Sequence, residues 1–474
     1  MKLQDIGVNA CSIGELQVKR VFHGDVFIWA YLVTVWDGTE WSNGEPNIEM
    51  VAIINGHLDT SVQNNLICDY LQNNSSIIVA PGTFLTANQI HNKGSIVIED
   101  KGNLLQHGNA SFYTGNAIVL KSKTTPVFRY DFTYWSSPVN GFILRNVSPT
   151  TMFDKFQSYN ALTQTWITHP SNGTPKVMES GRGYIIRAPQ SYPIEGAAGA
   201  VAQIYEATFL GIPNTGTIEI PVFKATNPAS ISYNLLGNPY PSVFNWDLFF
   251  LKNSHLIKAV ASYWIPKKIV PIAEGSQVFQ YLANYASYTP LGGVKVNKVM
   301  ARPNGIMDIA RAIFLEAIVA GNVVFEDYMR VNVVNPLDIQ RDRFWLNCVD
   351  STGNLFSESL IGYIQGYDDF DFNVLNWNTS NSMYLSVLDG AIVKSIQSHK
   401  TEFHATDKEN LRLKVGVAGN YTISLADFEG LFELTEIYLI DKLLNVTTNL
   451  KDGNYTFSSA VGTFDTRFEI AYQL

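Results

Sequence analysis

The chain has 474 residues, too many for one ordinary hydrophobic core, and about 150 residues per domain predicts roughly three domains. A net charge of −9, only 16% charged residues and the lack of any Lys or Arg block exclude the electrostatic footprint of a nucleic-acid-binding protein. Cys11, Cys68 and Cys348 lack metal-ligand spacing, so neither a disulfide framework nor a zinc site is indicated and buried thiols are expected.

The composition favours strands over helices, because 23 Tyr and 27 Phe accompany a hydrophobic fraction of 46%. With so few charges the surface is expected to be neutral and polar, which suits adhesion outside a cell. We predict an all-β protein with a short β module at residues 1–35 and a β-solenoid-like domain at 36–125. An irregular β-rich middle domain at 126–330 and a β-sandwich at 331–474 follow.

Residues 1–35 alternate between apolar and polar side chains in the strand period, with a hairpin expected at residues 22–25. So short a segment cannot bury its own core and needs a neighbour or a symmetric partner. We interpret it as an attachment segment, the alternative being the first strand pair of the next domain. The apolar run at 26–33 is far shorter than the roughly 20 residues of a membrane helix and favours a strand. Acidic residues precede this run, so no signal peptide and no membrane insertion are expected.

An internal sequence repeat within residues 36–125 predicts the solenoid. Aligning residues 75–85 with residues 95–105 superposes apolar positions and places the turn glycine Gly82 on Gly102. The offset is about one coil of a parallel β-helix. Two copies are few, and a chance similarity is the alternative.

The middle of the chain contains too many Gly and Pro residues for long helices. One or two helical turns are expected at residues 246–251. Residues 309–317 fit a helix or a strand, and we predict a strand. After Arg330, strands recur at regular turn spacing, which is typical of a β-sandwich.

The sequence lacks the common catalytic and cofactor-binding motifs: it has no HExxH, GxSxG, P-loop or GxGxxG motif. We therefore expect neither an enzyme nor a cofactor. Because no third candidate ligand accompanies His399 and His404, we expect no metal site there. Glu99 and Asp100 are the natural acid pair for a glycoside hydrolase. They are adjacent, however, and in a strand would point to opposite faces, which disfavours that chemistry.

Residues 367–373 form the densest acidic cluster of the chain. In a strand, Asp369, Asp371 and Asn373 would share one face and offer the oxygen ligands that calcium prefers. The cluster lacks the glycine and the closing glutamate of a calcium loop. A polar outer face of a sheet is the alternative, and the sequence leaves the question open.

The tract at residues 279–290 joins Tyr, Ser and Asn as antibody binding loops do, supplying rigid rings beside adaptable polar groups. We predict that Tyr281, Tyr285 and Tyr288, with Trp264 nearby, contact a receptor. The alternative is that these rings line the rim of a core.

A series of short motifs runs along most of the chain, beginning with W-D-G-T-E-W-S-N-G-E-P at residues 36–46. The later members are Y-W-S-S-P at 134–138, G-R-G-Y-I-I-R-A-P at 181–189, G-N-P-Y-P-S at 237–242, W-D at 246–247, F-W-L-N at 344–347, and D-K through N-Y-T-F at 441–457. In this order they resemble landmarks of the large surface proteins that Bacteroidetes bacteria export by the type IX system. The resemblance covers roughly residues 36–472.

Two departures from that pattern bear on function. The bacterial proteins begin with a signal peptide and end in a sorting domain, and neither is expected here. Residues 13–29 are similar to the short N-terminal modules of tailed-phage structural proteins. Together the resemblances imply a phage tail-fibre or spike protein on the virion surface that binds other virion proteins through residues 1–35 and a host glycan or protein elsewhere. As fibres usually are, it is expected to be a homo-oligomer, a trimer. The alternatives are a bacterial surface adhesin without its sorting domain and a polysaccharide depolymerase.

Overall fold

The protein is all-β and its chain divides into two compact units. The first unit comprises residues 1–253, 307–312 and 319–334, and the second comprises residues 254–306, 313–318 and 335–474. The computed structural model describes residues 32–107, 111–169, 175–266, 284–332, 340–353, 355–367, 369–379 and 382–473, together with the backbone of short strands between 11 and 30, at 270–271 and at 279–280.

Four short strands near the N-terminus form two antiparallel pairs, β1 with β2 and β3 with β4. The pairing of His23 with Val26 confirms the hairpin predicted at residues 22–25. The strands are β1 (Cys11–Ile13), β2 (Leu16–Val18), β3 (Arg20–His23) and β4 (Val26–Ala30). The apolar run at 26–33 therefore contributes a strand, as predicted. Among the helices of the described residues, none has the length and apolar character needed to cross a membrane.

Two stacks of parallel strands follow, and they confirm the predicted β-solenoid. One sheet has the order β12-β10-β8-β6-β5 with β13 also on β10, and the other contains β14-β11-β9-β7. The elements are β5 (Val33–Trp36), β6 (Val51–Ile54), β7 (Leu58–Asp59), α1 (Thr60–Gln63), β8 (Leu66–Asn73), β9 (Ser76–Val79), β10 (Phe84–Asn92), β11 (Ser95–Ile98), β12 (Asn103–Leu105), β13 (Phe112–Gly115) and β14 (Ile118–Lys123).

The register of the solenoid differs by one residue from the predicted alignment. Ser95 pairs with Ser76, whereas the alignment had placed it on Ser75. Likewise Leu66 pairs with Leu85, so the coil repeats every 19 residues here. A shift of one residue reverses the face to which every side chain of a strand points, so the predicted alignment superposed residues that point to opposite faces.

Asparagines stack inside the solenoid, one coil above the next. The Asn73 side-chain amide donates to Asn92 Oδ1 at 2.8 Å, and the Asn92 amide donates to the Tyr113 hydroxyl at 2.8 Å. Both asparagines are fully buried, so these bonds satisfy polar groups that would otherwise destabilise the interior. Cys68 is a buried thiol of the same core, as predicted.

The loop at residues 37–46 covers the outer edge of β5. The Ser42 backbone N–H donates to the Val35 carbonyl at 2.9 Å, and Ser42 Oγ accepts from the Val35 N–H at 3.0 Å. The Asn43 amide donates to the Val33 carbonyl at 2.7 Å. Backbone groups of an edge strand invite pairing with another strand, and this loop occupies them.

The middle of the first unit contains the four-stranded sheet β15-β18-β16-β17. Strand β19 pairs antiparallel with β14 and closes the second solenoid sheet. Helix α2 confirms the predicted helical turns, and Asn245 Oδ1 caps it by accepting from the Asp247 N–H at 2.8 Å. The elements are β15 (Phe132–Trp135), β16 (Phe156–Asn160), β17 (Thr165–Thr168), β18 (Tyr184–Arg187), β19 (Glu206–Gly211), β20 (Ile218–Val222), β21 (Tyr233–Gly237), β22 (Phe244–Asn245) and α2 (Trp246–Asn253).

The second unit begins with the sheet β29-β23-β26-β27. Strand β29 confirms the strand predicted within residues 309–317. In the first unit, β30 pairs antiparallel with β20. The strands are β23 (Ala261–Trp264), β24 (Val270–Pro271), β25 (Phe279–Gln280), β26 (Tyr285–Thr289), β27 (Gly292–Val294), β28 (Ile306–Met307), β29 (Ala312–Glu316) and β30 (Gly321–Phe325).

The C-terminal sheet folds on itself as a sandwich, as the strand spacing predicted. Its order is β39-β38-β41-β36-β34-β35-β32-β31-β37-β40, with β33 on β35. Neighbours are antiparallel apart from parallel β32 and β35. Phe344, Leu385, Leu413 and Phe468 fill its core, where Cys348 is the second buried thiol. The strands are β31 (Arg341–Asp350), β32 (Phe356–Ile364), β33 (Val374–Leu375), β34 (Met383–Asp389), β35 (Ile392–His399), β36 (Lys408–Val415), β37 (Gly419–Glu429), β38 (Tyr438–Asp441), β39 (Val446–Asn449), β40 (Tyr455–Ser459) and β41 (Gly462–Ala471).

Candidate functional site

Two of the predicted receptor-contact residues meet in the second unit. Trp264 ends β23 and Tyr285 begins β26, and the two are direct partners in the antiparallel ladder. Their ring centroids lie 5.3 Å apart at an interplanar angle of 66°. Such edge-to-face pairs stabilise a fixed arrangement of rings. Both residues are half-buried.

A third ring, that of Trp377, joins them from the turn after β33. Its centroid lies 4.8 Å from that of Tyr285, and Trp377 is also half-buried. Phe314 supports the group from inside, with its ring 6.2 Å from Tyr285 and only 5% of the residue exposed. We call Trp264, Tyr285 and Trp377 the aromatic row.

Side-chain amides hold the backbone of this row in place. Asn378 Oδ1 accepts from the Tyr285 N–H at 3.1 Å, and Asn378 Nδ2 donates to the Tyr285 carbonyl at 3.2 Å. The Asn378 N–H donates to Asn376 Oδ1 at 2.8 Å, which closes a turn around Trp377. The Asn284 amide donates to the Ile265 carbonyl at 2.9 Å and fixes the end of β23 against β26.

A cleft lies beside the same turn. Asn376 and Asn378, which flank Trp377 in the sequence, are among its lining residues. The cleft is open to solvent, and its empty space of about 350 Å³ includes part of that solvent. It lies where β32 and β34 are joined by side chains: Ser357 Oγ donates to the Leu385 carbonyl and accepts from the Leu385 N–H, both at 3.1 Å. The lining residues are Val294, Lys295, Val296, Phe356, Ser357, Glu358, Asn376, Asn378, Met383, Tyr384 and Ser395.

The buried carboxylate of the cleft is compensated by donors. Glu358 Oε1 accepts from Arg302 Nε at 3.1 Å, and Glu358 Oε2 accepts from the Lys295 N–H at 3.0 Å. Burial nevertheless raises the pKa of Glu358 above its ordinary value. The Lys295 ammonium lies 5.7 Å from the centre of the Phe356 ring. The Glu358 carboxylate is therefore held by partners within the protein.

The other two predicted contact residues are not in this group. Tyr288 is 4% exposed, so it is not available at the surface, and the prediction that it touches a receptor is corrected. It lies three residues from Tyr285 on one strand, and an odd separation turns the two side chains to opposite faces. Tyr281 lies outside the described residues.

The acidic cluster predicted as a possible calcium site does not form a strand face. Residues 369–373 lie in turn and irregular structure, which corrects the predicted strand. Asp371 Oδ1 accepts from the Asn373 backbone and from its side-chain amide, at 3.0 and 2.7 Å, while Asn373 Oδ1 accepts from the Ser398 N–H at 3.0 Å. Within the described ranges, no three His, Cys, Asp or Glu side chains are grouped closely enough to hold a metal ion.

Glu99 and Asp100, the acid pair considered for glycoside hydrolysis, follow β11 and have separate partners. Glu99 Oε1 accepts from Lys121 Nζ at 2.8 Å, and Asp100 Oδ1 accepts from the Lys123 N–H at 2.8 Å. Of the two histidines considered as metal ligands, His399 and His404, His399 pairs with Glu409 through Nε2. These contacts give the carboxylates structural roles.

The landmark motifs of the first unit hold one another in place. The Gly183 N–H donates to the Leu235 carbonyl at 3.1 Å, and the Gly237 N–H donates to the Gly181 carbonyl at 3.0 Å. A Cβ on Gly237 would lie only 2.2 Å from Ser136 Cβ, so a side chain there has no room. The motifs therefore contribute to the packing of this unit.

A buried arginine anchors the G-N-P-Y-P-S motif within the first unit. The Arg330 guanidinium lies 4.8 Å from the centre of the Tyr240 ring, donates to Ser242 Oγ at 3.1 Å and forms an ion pair with Asp327 at 3.0 Å. Asp327 in turn accepts from the Gly216 N–H at 3.1 Å. Because every charged group in this network has a partner, it can remain buried.

Comparison with known proteins gives a family and no named relative. No match to the chain was found among curated proteins or among solved structures. A family model described as a domain of unknown function (DUF8693) matches residues 32–472. The match starts beside β5 and runs to the end of the C-terminal sandwich, across both compact units. The chain therefore belongs to the family described as a domain of unknown function, DUF8693.

Proposed function

We propose that this protein is a phage virion component, a tail fibre or spike, that attaches the particle to the surface of its bacterial host. The observation that carries the proposal is the boundary at residue 32. Residues 32–472 match the family, and the residues before them contribute two strand pairs of their own. An isolated strand pair is marginally stable in water, so this segment needs a neighbour, and in this proposal other virion proteins or copies of the same chain supply it.

The aromatic row supports the receptor-binding half of the proposal. Half-buried Trp and Tyr side chains supply contact area while losing little conformational entropy on binding, and they dominate the energetics of many interfaces. Trp264, Tyr285 and Trp377 are held close together by ring contacts and by the Asn378 amide. We expect the host receptor to bind at this row.

A bacterial surface adhesin is the second candidate, favoured by the ordered motifs that resemble type IX-secreted proteins. The two candidates differ in location. Immunogold labelling of purified phage with antibody against this chain is expected to decorate the tail in the fibre proposal. Labelling of bacterial cells but not of virions would contradict it and favour the adhesin.

Oligomeric state provides an independent test. A fibre or spike is expected to be a homo-oligomer, a trimer, in size-exclusion chromatography with light scattering, and the purified chain is expected to block phage adsorption. The proposal would be overturned if the protein is a strict monomer, does not block adsorption and is not detected on virions by the antibody. Release of reducing ends from host capsule by the purified protein would show instead that it is a depolymerase.

A further inference from the structure

We infer that the outer face of the second solenoid sheet joins copies of this chain to one another. The inference deepens the proposed function, on which it rests, because it names the surface through which the homo-oligomer assembles. The face belongs to strands β9, β11, β14 and β19, whose inward side chains lie in the core of the first unit. The outward side chains include Ile78, Val97, Val119 and Leu210, which we call the outer row.

The outer row is continuous across the four strands. Ile78 is the direct ladder partner of Val97, Val97 that of Val119, and Val119 that of Leu210. Direct partners point to the same face of a sheet and lie about 5 Å apart. The residue before each member is fully buried, whereas Leu210 is 61% exposed and the other three members are partly exposed. The row therefore lies on the side of the sheet that faces away from the core, and it ends at Asp59, the β7 partner of Ile78.

The sequences of the three parallel strands indicate that both faces of this sheet are covered in the assembled protein. Strands with one face in water alternate apolar and polar residues, whereas parallel strands covered on both faces are apolar throughout. Residues 77–79, 96–98 and 118–120 read I-I-V, I-V-I and I-V-L. The first and last residues of each run lie in the core, and the middle residue belongs to the outer row. A second apolar surface is therefore expected to cover the row.

The charges beside the outer row favour a copy of the same face as that surface. Glu99 and Lys121 form an ion pair at 2.8 Å, and Lys123 and Glu206 form another at 3.3 Å. The charges along this border are thus balanced within the chain, so two such faces can meet without burying an unpaired charge. A strongly acidic or basic partner would gain no surplus of opposite charge from these groups.

The geometry of the face also favours a second copy. The row repeats at the strand spacing of about 4.8 Å, which a copy reproduces, whereas an α-helix has a pitch of about 5.4 Å. Strands of four to six residues give a face of roughly 250–400 Å², below the roughly 800 Å² that each partner of a stable complex buries. A separate protein would need further contacts. Copies of one chain have them in this proposal, because the strand pairs of residues 11–30 also need a neighbour.

The first test is the mass of the full chain as a function of concentration, measured by analytical ultracentrifugation. Val119→Glu and Leu210→Glu place like charges on facing rows, and each should raise the concentration at which half of the protein is monomeric at least tenfold. Ile167→Glu is the matched control, since Ile167 is a 43% exposed strand residue of the first unit, and it should leave that concentration unchanged. Circular dichroism and unfolding midpoints show whether each variant is folded.

Cross-linking tests directly whether the two faces meet. In a Cys11→Ser background, Val97→Cys is expected to give a covalent dimer with a short bismaleimide reagent, because Val97 lies within the row. Cys68 and Cys348 are buried thiols and are not expected to react. Ile167→Cys in the same background is the control. Cysteine is a small side chain, so this test remains decisive if a glutamate variant fails to fold.

Three results would overturn the inference: a chain that stays monomeric at every concentration, folded glutamate variants that associate like the unchanged protein, or no more covalent dimer from Val97→Cys than from Ile167→Cys. Failure of the proposed function looks different. If the outer row joins copies of the chain but the antibody does not label virions, the face stands and the virion assignment falls. If the antibody labels virions while the row variants assemble normally, the virion assignment stands and the face falls.

Discussion

The side-chain amide of Asn378 forms two hydrogen bonds with the backbone of Tyr285, accepting from its N–H at 3.1 Å and donating to its carbonyl at 3.2 Å. A side chain thus takes the place of a neighbouring strand at the start of β26. It couples two segments that lie far apart in the sequence, and it places Trp377 against the Tyr285 ring.

Replacing Asn378 by alanine is expected to lower the free energy of unfolding by roughly 1–3 kcal/mol, because two backbone groups lose their partner. Urea unfolding measures the change. Asn322→Ala is the control, since Asn322 is exposed and its amide makes one long hydrogen bond of 3.4 Å to Glu219. Equal effects of the two substitutions would contradict the role given to Asn378.

Gly237→Ala is expected to destabilise the protein by about 1–3 kcal/mol, because the new methyl group would lie 2.2 Å from Ser136 Cβ and the two motifs would have to separate. Thermal unfolding followed by circular dichroism checks this. Gly453→Ala serves for comparison, as no atom lies within 4 Å of a Cβ built there. A Gly237→Ala protein as stable as Gly453→Ala would show that the close approach is not needed.

Asp131 makes stability depend on pH. It is 8% exposed, and burial, with a contribution from Glu195, raises its pKa from 3.8 to about 6. The folded state then binds the proton more tightly than the unfolded state, so the free energy of unfolding falls as the pH rises through 4 to 6. About two pKa units correspond to roughly 3 kcal/mol. The difference in the free energy of unfolding between pH 4 and pH 7, measured with urea, is expected to be smaller for Asp131→Asn than for the unchanged protein. Identical pH profiles of the two proteins would refute the assignment.

Arg467 and Asp441 form a buried ion pair in the sandwich, 2.8 Å apart, and Tyr455 donates to the same carboxylate at 2.9 Å. Arg467→Met leaves that carboxylate buried without its cation and is expected to destabilise the protein by about 3–5 kcal/mol. The double variant Arg467→Met, Asp441→Asn removes both charges and should recover part of the loss in guanidinium unfolding. A double variant less stable than the single one would contradict this account.

The strand architecture followed from the sequence because alternating apolar residues and turn glycines are local signals. The register of the solenoid did not follow from the sequence, and one turn explains why. Gly82 has a φ of 78°, and the residue 19 positions later with the same left-handed backbone is Lys101, with a φ of 67°. The alignment assumed a glycine there and chose Gly102, whose small size instead permits a close approach to the Val79 carbonyl.

The candidate site was only partly accessible to sequence reasoning. The Tyr-rich tract and Trp264 pointed to the region in which the aromatic row lies, and the odd spacing of Tyr285 and Tyr288 already implied opposite faces once a strand was assumed. Trp377 carried no local signal. It reaches Tyr285 only through the fold of the second unit, and periodicity does not report contacts over such sequence separations.

Both ends of the solenoid are closed: residues 37–46 cover β5, while β19 pairs with β14 and the Pro241 carbonyl accepts from the Leu104 N–H at 2.9 Å. During evolution, a coil can therefore be gained or lost only between these ends, where the middle coils repeat every 19 residues. Relatives in this family are expected to differ in length here by whole coils, while the closing segments keep their length.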